Sequence, residues 1–406
     1  MMKLNRWMRM RKLELPFATT GLVWNSLMSW AGGWFFLMAC EMFIVKGKDF
    51  RLPGIGSFIQ LSANNGDITR VLIGLLVMIL IIVLLDLIIW KPLVAWAQKF
   101  RMDNVLAEDE KESIILDIFR SSKIMERLIE KVDNFADRLN LLLTRRKKID
   151  ERKKKGIFYY GFLFIFFSLI IYLFFNGVLF FVRFFYQITT DDLLFMLKAG
   201  LLSFLRTTSA IIIASLWTIP LGVVIGMKPK VARVLQPIIQ IAASVPATAL
   251  FPIIIYFLIK IGGGLGFGSI FLMLLGTQWY ILFNVIAGAS AIPQDLKDTA
   301  KLYNINGWRK WKVLILPAIF PYLVTGLITA TGGAWNASIV SEYVVFGGEV
   351  QKTIGLGSLI SEASAVGNYP ILLASTILMS IIVVSLNRLV WKRLFTLAEE
   401  KFRLDQ

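Results

Sequence analysis

Long apolar runs alternate with polar connections along this chain. Each run is long enough to cross a bilayer core of about 30 Å as a helix, because an α-helix rises about 1.5 Å per residue. The pattern therefore predicts an all-α polytopic membrane protein with about eight transmembrane helices. The predicted spans are 17–45, 68–90, 157–182, 200–227, 235–261, 269–290, 318–345 and 370–391.

Basic residues are concentrated in alternate connections. Since cytoplasmic loops of membrane proteins carry an excess of Lys and Arg, these connections are predicted to lie inside the cell. They are Met1–Glu14, the turn at Lys91, the segment around Lys228, Lys230 and Arg233, Lys297–Lys312 and the tail with Lys392, Arg393, Lys401 and Arg403. The remaining connections, 46–67, 189–198, 262–268 and 347–368, are then outside. We expect the first of these to carry a short interfacial helix.

Residues 101–155 form a charged connector between the second and third predicted spans. Apolar residues recur at helical spacing from Met125 to Leu142, which predicts amphipathic cytoplasmic helices. The basic stretch Arg145–Lys155 stands directly before an apolar run, where it would fix the topology and contact anionic lipid.

An internal repeat links the two ends of the chain. A shift of 301 residues superposes 7–91 on 308–392 without a gap, with Trp7 on Trp308 and Glu41 on Glu342. Residues 156–301 have no counterpart in the first copy. The predicted domains are therefore a partial repeat of two spans at 1–100, the connector at 101–155 and a complete six-span domain at 156–406. Repeats of this kind are common in transporters.

Composition narrows the class of protein. Hydrophobic residues make up 57% of the chain, charged residues 17%, and the mean hydropathy is +0.68. The net charge of +17 comes from residues at the ends of apolar runs, so no nucleic-acid partner is expected. With no histidine and one cysteine, Cys40, the sequence excludes His-based catalytic triads, disulfides and structural zinc. We expect neither a metal site nor a cofactor, and no enzymatic activity in this chain.

One basic connection carries a recognisable motif. The stretch DTAKLYNINGWRKWKVLILP, Asp298–Pro317, resembles the E-A-A, three residues, G, nine residues, I-x-L-P loop of ABC-transporter permeases. In that pattern Asp298, Thr299 and Ala300 take the E-A-A places, Asn304 takes the glycine place, and Leu314, Leu316 and Pro317 take the I-x-L-P places. Segments such as LQPIIQIAASVPATALFPIIIYF also resemble ABC importer permeases of the nitrate, sulfonate and taurine type, closest to their duplicated form and shortened at the N-terminus.

This resemblance implies a type I ABC importer permease fold in the cytoplasmic membrane. The coupling loop, 293–317, would dock on a cytoplasmic ABC ATPase dimer, which drives import of a small anion by hydrolysing ATP. The chain lacks the G-x-x-x-x-G-K-[ST] sequence of a phosphate-binding loop, so the ATPase is expected on another subunit. The resemblance also implies an extracytoplasmic substrate-binding protein and a second permease unit, either another copy of this chain or the missing half. Pro317 is expected to end the loop by opening the next helix.

Ionisable residues within spans are costly and often mark a substrate pathway. Glu342, its repeat mate Glu41, and Arg206 lie towards the outer ends of their spans. Three alternatives stay open: Glu342 and Arg206 pair with each other, Arg206 faces an anion, or both side chains reach water by extending to the interface. Trp335 and Asn336 follow Gly332-Gly333, where small residues allow close helix approach, and either line the pathway or only pack. The same close approach is expected at Gly32-Gly33 of the first copy.

Two other functions remain open. The chain is alternatively an inactive or split-gene fragment of a longer two-unit permease, because the first copy contains two spans only. A secondary transporter is the third hypothesis, although few acidic residues lie deep in the spans where proton coupling would need them.

Overall fold

The computed structural model describes residues 6–98 and 157–401, which are almost entirely helical. The helices predicted for the connector, and the basic stretch Arg145–Lys155, fall outside the described residues. The described helices are α1 Arg6–Arg9, α2 Leu15–Glu41, α3 Ile55–Asn64, α4 Ile68–Leu85, α5 Lys91–Gln98, α6 Ile157–Phe185, α7 Thr190–Met227, α8 Pro229–Ser244, α9 Ala247–Lys260, α10 Leu265–Ser290, α11 Gln294–Leu302, α12 Gly307–Lys310, α13 Leu316–Ser341, α14 Leu356–Val366, α15 Tyr369–Leu386 and α16 Lys392–Lys401. π-helical turns occupy Met10–Glu14, Asp86–Trp90, Trp311–Ile315 and Asn387–Trp391.

Two short antiparallel hairpins interrupt the helices. Strands β1 Met42–Val45 and β2 Lys48–Arg51 pair with each other, as do β3 Tyr343–Phe346 and β4 Glu349–Lys352. The sequence analysis missed both. Each turn has two central residues with positive φ, Lys46-Gly47 and Gly347-Gly348, which is the backbone that a two-residue hairpin requires. The expected short helix of the first external segment is present as α3.

Among the described residues, six helical segments are long and apolar enough to span a membrane, or seven if a bent pair counts as one span. The sequence predicted about eight spans. The difference is α2, a helix of 27 residues that is absent from this set. Its Thr19, Thr20, Asn25 and Ser26 lower its hydropathy below that of the other spans. The multi-pass, all-helical class is confirmed, whereas the number eight is not.

Two predicted spans have different ends or shapes. Helix α7 begins at Thr190, so most of the predicted external segment 189–198 is its first turns. Thr189 caps these turns, because its hydroxyl accepts from Asp192 N while its own N–H donates to the Asp192 carboxylate at 3.0 Å. The predicted span 235–261 is broken between α8 and α9 at Val245-Pro246, with a bend of 79°. Proline disfavours a helical residue before it, which accounts for the break.

The elements of the first copy recur at the same offset that relates the sequences. Both hairpins are shifted by 301 residues, as are the starts of α3 and α14 and both ends of α4 and α15. Even the π-helical turns correspond, Met10–Glu14 with Trp311–Ile315 and Asp86–Trp90 with Asn387–Trp391. The two sequence copies therefore fold into the same succession of elements.

The chain divides into two compact units. One comprises Met1–Gly32 and Leu80–Phe181, and in it the rings of Trp30 and Trp90 lie 5.5 Å apart. The other comprises Gly33–Ile79 and Val182–Gln406. Its core lies between α7, α10 and α13, which contribute Ile211, Ala214, Val223, Ile281, Val285, Ala289, Ile319, Ala330 and Ala334. A Cβ on Gly333 would lie 3.2 Å from the Tyr280 ring, so this glycine allows α13 and α10 to approach closely, as expected.

Within the larger unit, the two copies contact each other reciprocally. The turn of the first hairpin reaches the end of α14, where Lys46 N donates to Ser364 O at 3.4 Å. The turn of the second hairpin reaches the end of α3, where Gly347 N donates to Ala63 O at 3.0 Å. Positions 46 and 347 correspond under the 301-residue offset, and so do 63 and 364. The contact is thus isologous, as in a twofold-symmetric dimer, although both sides belong to one chain.

Candidate functional site

The loop singled out by sequence is built around the nine-residue helix α11. Its C-terminal end is a Schellman motif, in which Ile305 N donates to Ala300 O at 2.8 Å and Asn304 N donates to Lys301 O at 3.0 Å. Asn304 itself adopts left-handed backbone geometry with φ +50°. Glycine favours this geometry, and asparagine tolerates it better than most other residues do. The residue in the glycine place of the motif therefore has the backbone that a glycine would supply.

The rest of the motif fixes the loop to the bundle. Ala300 is 4% exposed, so it faces the protein rather than a partner. Leu314 and Leu316 pack against the cluster that contains Ile315 and Ile319. Asp298 and Thr299 lie on the outer side of α11; Lys301 donates to Asp298 at 2.8 Å. That hydrogen bond, followed by one from Gln294, holds the pKa of Asp298 below its ordinary value.

Pro317 lies in the first turn of α13, as expected for a proline that opens a helix, but the chain before it is helical rather than a loop. Helical structure already begins at Gly307 and continues to Ser341. The π-helical turn Trp311–Ile315 ends two residues before the proline, and Leu316 N donates to Trp311 O. In a regular helix the Pro317 ring would meet the carbonyl of Val313, and the wider turn accommodates it.

Sequence reasoning missed the exposed side chains of this loop. Leu302 is 82% exposed, Tyr303 74% and Trp308 76%, although all three lie in a basic, polar connection. We refer to these three residues as the loop apolar triad. Large apolar side chains left exposed in a polar connection are typical of a protein–protein docking site. The signal was present in the sequence as large apolar residues outside the motif positions.

We expect Asn304→Gly to preserve the loop and Asn304→Val to disrupt it. A β-branched residue at φ +50° costs about 1–2 kcal/mol more than glycine, which is enough to unwind the last turn of α11. Limited proteolysis of the purified protein measures this, because an unwound turn is cleaved faster after Lys301. Equal cleavage rates for the two variants would show that the turn does not depend on this residue.

The second candidate site surrounds Glu342 at the end of α13. Its carboxylate is 0% exposed and accepts from Ser203 Oγ at 2.7 Å, Arg206 Nη1 at 3.1 Å and Gly357 N at 3.0 Å. The Arg206 side chain is only 11% exposed. It also donates to the carbonyls of Gly266 and Ile354 at 3.1 and 2.7 Å and to the Thr353 hydroxyl at 3.0 Å. Glu342 and Arg206 therefore pair, which was one of the predicted alternatives, and their hydrogen bonds are made to other groups of the protein.

This cluster joins α7, α13 and the segment that follows the second hairpin. A fully satisfied buried ion pair fixes geometry well, whereas a substrate anion would have to displace existing partners of Arg206. The geometry thus favours a positioning role over direct contact with substrate. Trp335 is 2% exposed and packs with Ala199, Leu356 and Met379.

The remaining pathway candidates lie elsewhere. Asn336 is exposed, on a different side of α13 from Trp335. Glu41 is half-buried and accepts from Ser57 N at 3.0 Å, so it lies in the first copy of the same motif and apart from the Arg206 cluster.

The long apolar helices define a multi-pass membrane protein, and one of its basic connections carries exposed apolar side chains. Residues 218–396 match the family described as binding-protein-dependent transport system inner membrane component. The match covers less than half of the chain, so it is residues 218–396 that are similar to this family of inner membrane transport components.

Curated relatives match between 39% and 50% of the chain. The nitrate import permease protein NrtB of Leptolyngbya laminosa is 28% identical over 201 residues, 50% of this chain and 68% of the relative. The bicarbonate transport system permease protein CmpB of Synechocystis sp. is 29% identical over 158 residues, 39% of this chain and 53% of the relative. The taurine transport system permease protein TauC of Escherichia coli is 26% identical over 181 residues, 44% of this chain and 62% of the relative. The chain thus spans between about half and two thirds of these proteins.

Proposed function

We propose that this chain is the transmembrane permease subunit of an ATP-driven importer for a small anion. ATP hydrolysis takes place on a separate cytoplasmic ATPase dimer, a substrate-binding protein delivers the anion from outside, and a second permease unit completes the pathway. The division into 1–100, 101–155 and 156–406 belongs to the same proposal. The anion class rests on the relatives, whose names specify nitrate, bicarbonate and taurine.

The observation that carries the proposal is the coupling loop. Helix α11 ends in a rigid Schellman turn, and the loop apolar triad is exposed around that turn. Ala300, Leu314 and Leu316 anchor the loop to the bundle, so a force applied to the triad passes into α13 rather than into a flexible tether. A short, anchored helix with an apolar tip is suited to transmit movement of a partner protein. Asn336, exposed on α13, remains our candidate for the pathway itself.

Replacing the triad should release the ATPase. We expect the triple variant Leu302→Ala, Tyr303→Ala and Trp308→Ala to lower ATPase recovery roughly tenfold or more, since buried aromatic anchors typically contribute over 1 kcal/mol each. The measurement is a mild-detergent pull-down of the tagged chain, with mass spectrometry for a subunit that carries a P-loop sequence.

The matched control is Tyr186→Ala with Phe267→Ala, which removes aromatic residues that are 92% and 81% exposed away from the loop. This control should retain the ATPase. If no ATPase accompanies the well-folded unaltered chain, the permease proposal fails in favour of an inactive fragment. In cells with all components, labelled nitrate, bicarbonate and taurine are the uptake probes.

A further inference from the structure

The first copy contains the same carboxylate frame as the second. In each copy the residue before the glycine-containing turn donates to the backbone of the glutamate, Leu52 N to Glu41 O at 2.8 Å and Thr353 N to Glu342 O at 3.0 Å. In each copy a backbone N–H of the following helix donates to the carboxylate, from Ser57 at 3.0 Å and from Ser358 at 3.4 Å. The glutamate, hairpin and helix start are therefore built alike.

The two copies differ in how deeply the glutamate and its neighbours are buried. In the second copy Glu342, Ser341 and Leu356 are each 0% exposed. Their counterparts in the first copy are more open: Glu41 and Ile55 are half-buried, and Cys40 is exposed. Gly33 shows the same difference, since a Cβ there would meet nothing within 4 Å whereas its counterpart Ala334 is 0% exposed.

In the second copy, helix α7 packs over the glutamate and buries it. Ser203 and Arg206 bind Glu342, and a Cβ on Gly200 would lie 3.4 Å from Leu356, so the small residue lets α7 approach α14. Among residues 6–98 and 157–401, the structure pairs no cation with Glu41. Glu41 accepts from the Ser57 N–H, and a nearby cation would stabilise this half-buried carboxylate further.

We propose that the surface formed by Gly33, Cys40, Glu41 and Ile55 docks a membrane helix of a second, different polypeptide. That helix carries a small residue, a serine and an arginine at the spacing of Gly200, Ser203 and Arg206, so its sequence reads G-x-x-S-x-x-R or a close variant. The proposal rests on the proposed function, because it specifies which surface receives the second permease unit and by what chemistry.

A second copy of this chain does not fit as the occupant. In this chain Ser203 and Arg206 are already engaged by Glu342, and releasing them would leave that carboxylate buried without its cation. The reciprocal hairpin contacts also show that the first copy already faces the second as a symmetry mate would. What the first copy lacks among the described residues is the counterpart of α7, and a different chain can supply it.

The two frames are not identical, which limits how tightly the incoming arginine is held. Thr353, whose hydroxyl accepts from Arg206, is replaced by Leu52 in the first copy. Pro53 retains a carbonyl in the place of Ile354. The incoming arginine would thus keep the carboxylate and the carbonyl but lose the hydroxyl.

Cys40 provides the test, because it is the single cysteine of the chain and adjoins Glu41. Benzophenone-maleimide is attached to Cys40 of the purified chain, which is exposed there, the labelled chain is mixed with detergent-solubilised membranes and irradiated, and crosslinked peptides are sequenced. We expect a peptide from an apolar span with the small-serine-arginine spacing, and a loss of at least about tenfold in its yield with Glu41→Arg. Exchanging the partner's arginine for glutamate should restore the yield.

A matched control places the probe on the second copy, with Val366→Cys in a Cys40→Ser background. Val366 is 73% exposed, and its probe should not give the same peptide. Crosslinks from Cys40 only to lipid, to this chain or to a water-soluble protein would overturn the inference, as would a yield insensitive to Glu41→Arg. If the ATPase still copurifies in that case, the proposed function stands and only this docking surface is wrong.

Discussion

Replacing Arg206 by methionine should lower the free energy of unfolding by about 3–5 kcal/mol, because it leaves the fully buried Glu342 carboxylate without its cation. The substitution also removes the donors to Gly266 O, Ile354 O and the Thr353 hydroxyl, which connect α7 to the start of α10 and to the segment after the second hairpin. Methionine keeps much of the side-chain volume, so the loss reports the charge and hydrogen bonds rather than a cavity.

The effect is measured by heating the purified chain in mild detergent and following its monodisperse peak in size-exclusion chromatography. The temperature at which half of that peak is lost should be lower for the variant. The double variant Arg206→Met with Glu342→Gln should lose less stability than the sum of the losses of the two single variants. In the double variant neither charge is left buried without its partner. Glu41→Gln is the matched control: Glu41 is half-buried, so we expect a change of about 1 kcal/mol or less.

The single variant Glu342→Gln also separates positioning from substrate contact. If the cluster only positions the outer segment, Glu342→Gln should reduce uptake in proportion to its loss of stability and leave the apparent affinity for the anion unchanged. A change in affinity with unaltered stability would instead place Glu342 in contact with the substrate. Normal uptake together with normal stability would remove both roles.

The repeat shows what the sequence could and could not establish. The offset of 301 residues predicted the succession of elements, because side-chain pattern and local backbone preference travel together along a duplicated segment. Asn304 in the glycine place was also readable, since asparagine is among the residues that tolerate left-handed geometry. The break at Val245-Pro246 was present as a proline signal and was overridden by the length of the apolar run.

The Arg206 contacts could not be derived in the same way. Its partners lie 60 to 148 residues away along the chain, and only the packing of α7 against α13 brings them together. Sequence placed Arg206 and Glu342 at the same depth, which allowed pairing but equally allowed both to reach water. Likewise, Trp335 is buried and Asn336 is exposed because of how α13 is rotated about its axis. The sequence of two adjacent residues does not specify that rotation.

The other large effect is expected for Gly357→Ala, at the start of α14. A Cβ at this position would overlap the backbone carbonyl of Ser338, a residue that is itself 0% exposed. Because the opposing atoms are backbone atoms in the packed helix α13, relief requires α14 to move, and that also lengthens the hydrogen bond from Gly357 N to Glu342. We expect a loss of about 3 kcal/mol, at the upper end for overpacked sites.

Two alanine variants of other glycines calibrate this result in the same thermal assay. Gly56→Ala is the repeat counterpart, where the nearest backbone atom is Met38 Cα at 3.0 Å, and it should cost about 1 kcal/mol because the first copy is less confined. Gly332→Ala meets nothing within 4 Å in the middle of α13 and should be neutral or stabilising by up to about 1 kcal/mol. Equal effects of Gly357→Ala and Gly56→Ala would mean that the two copies are packed alike.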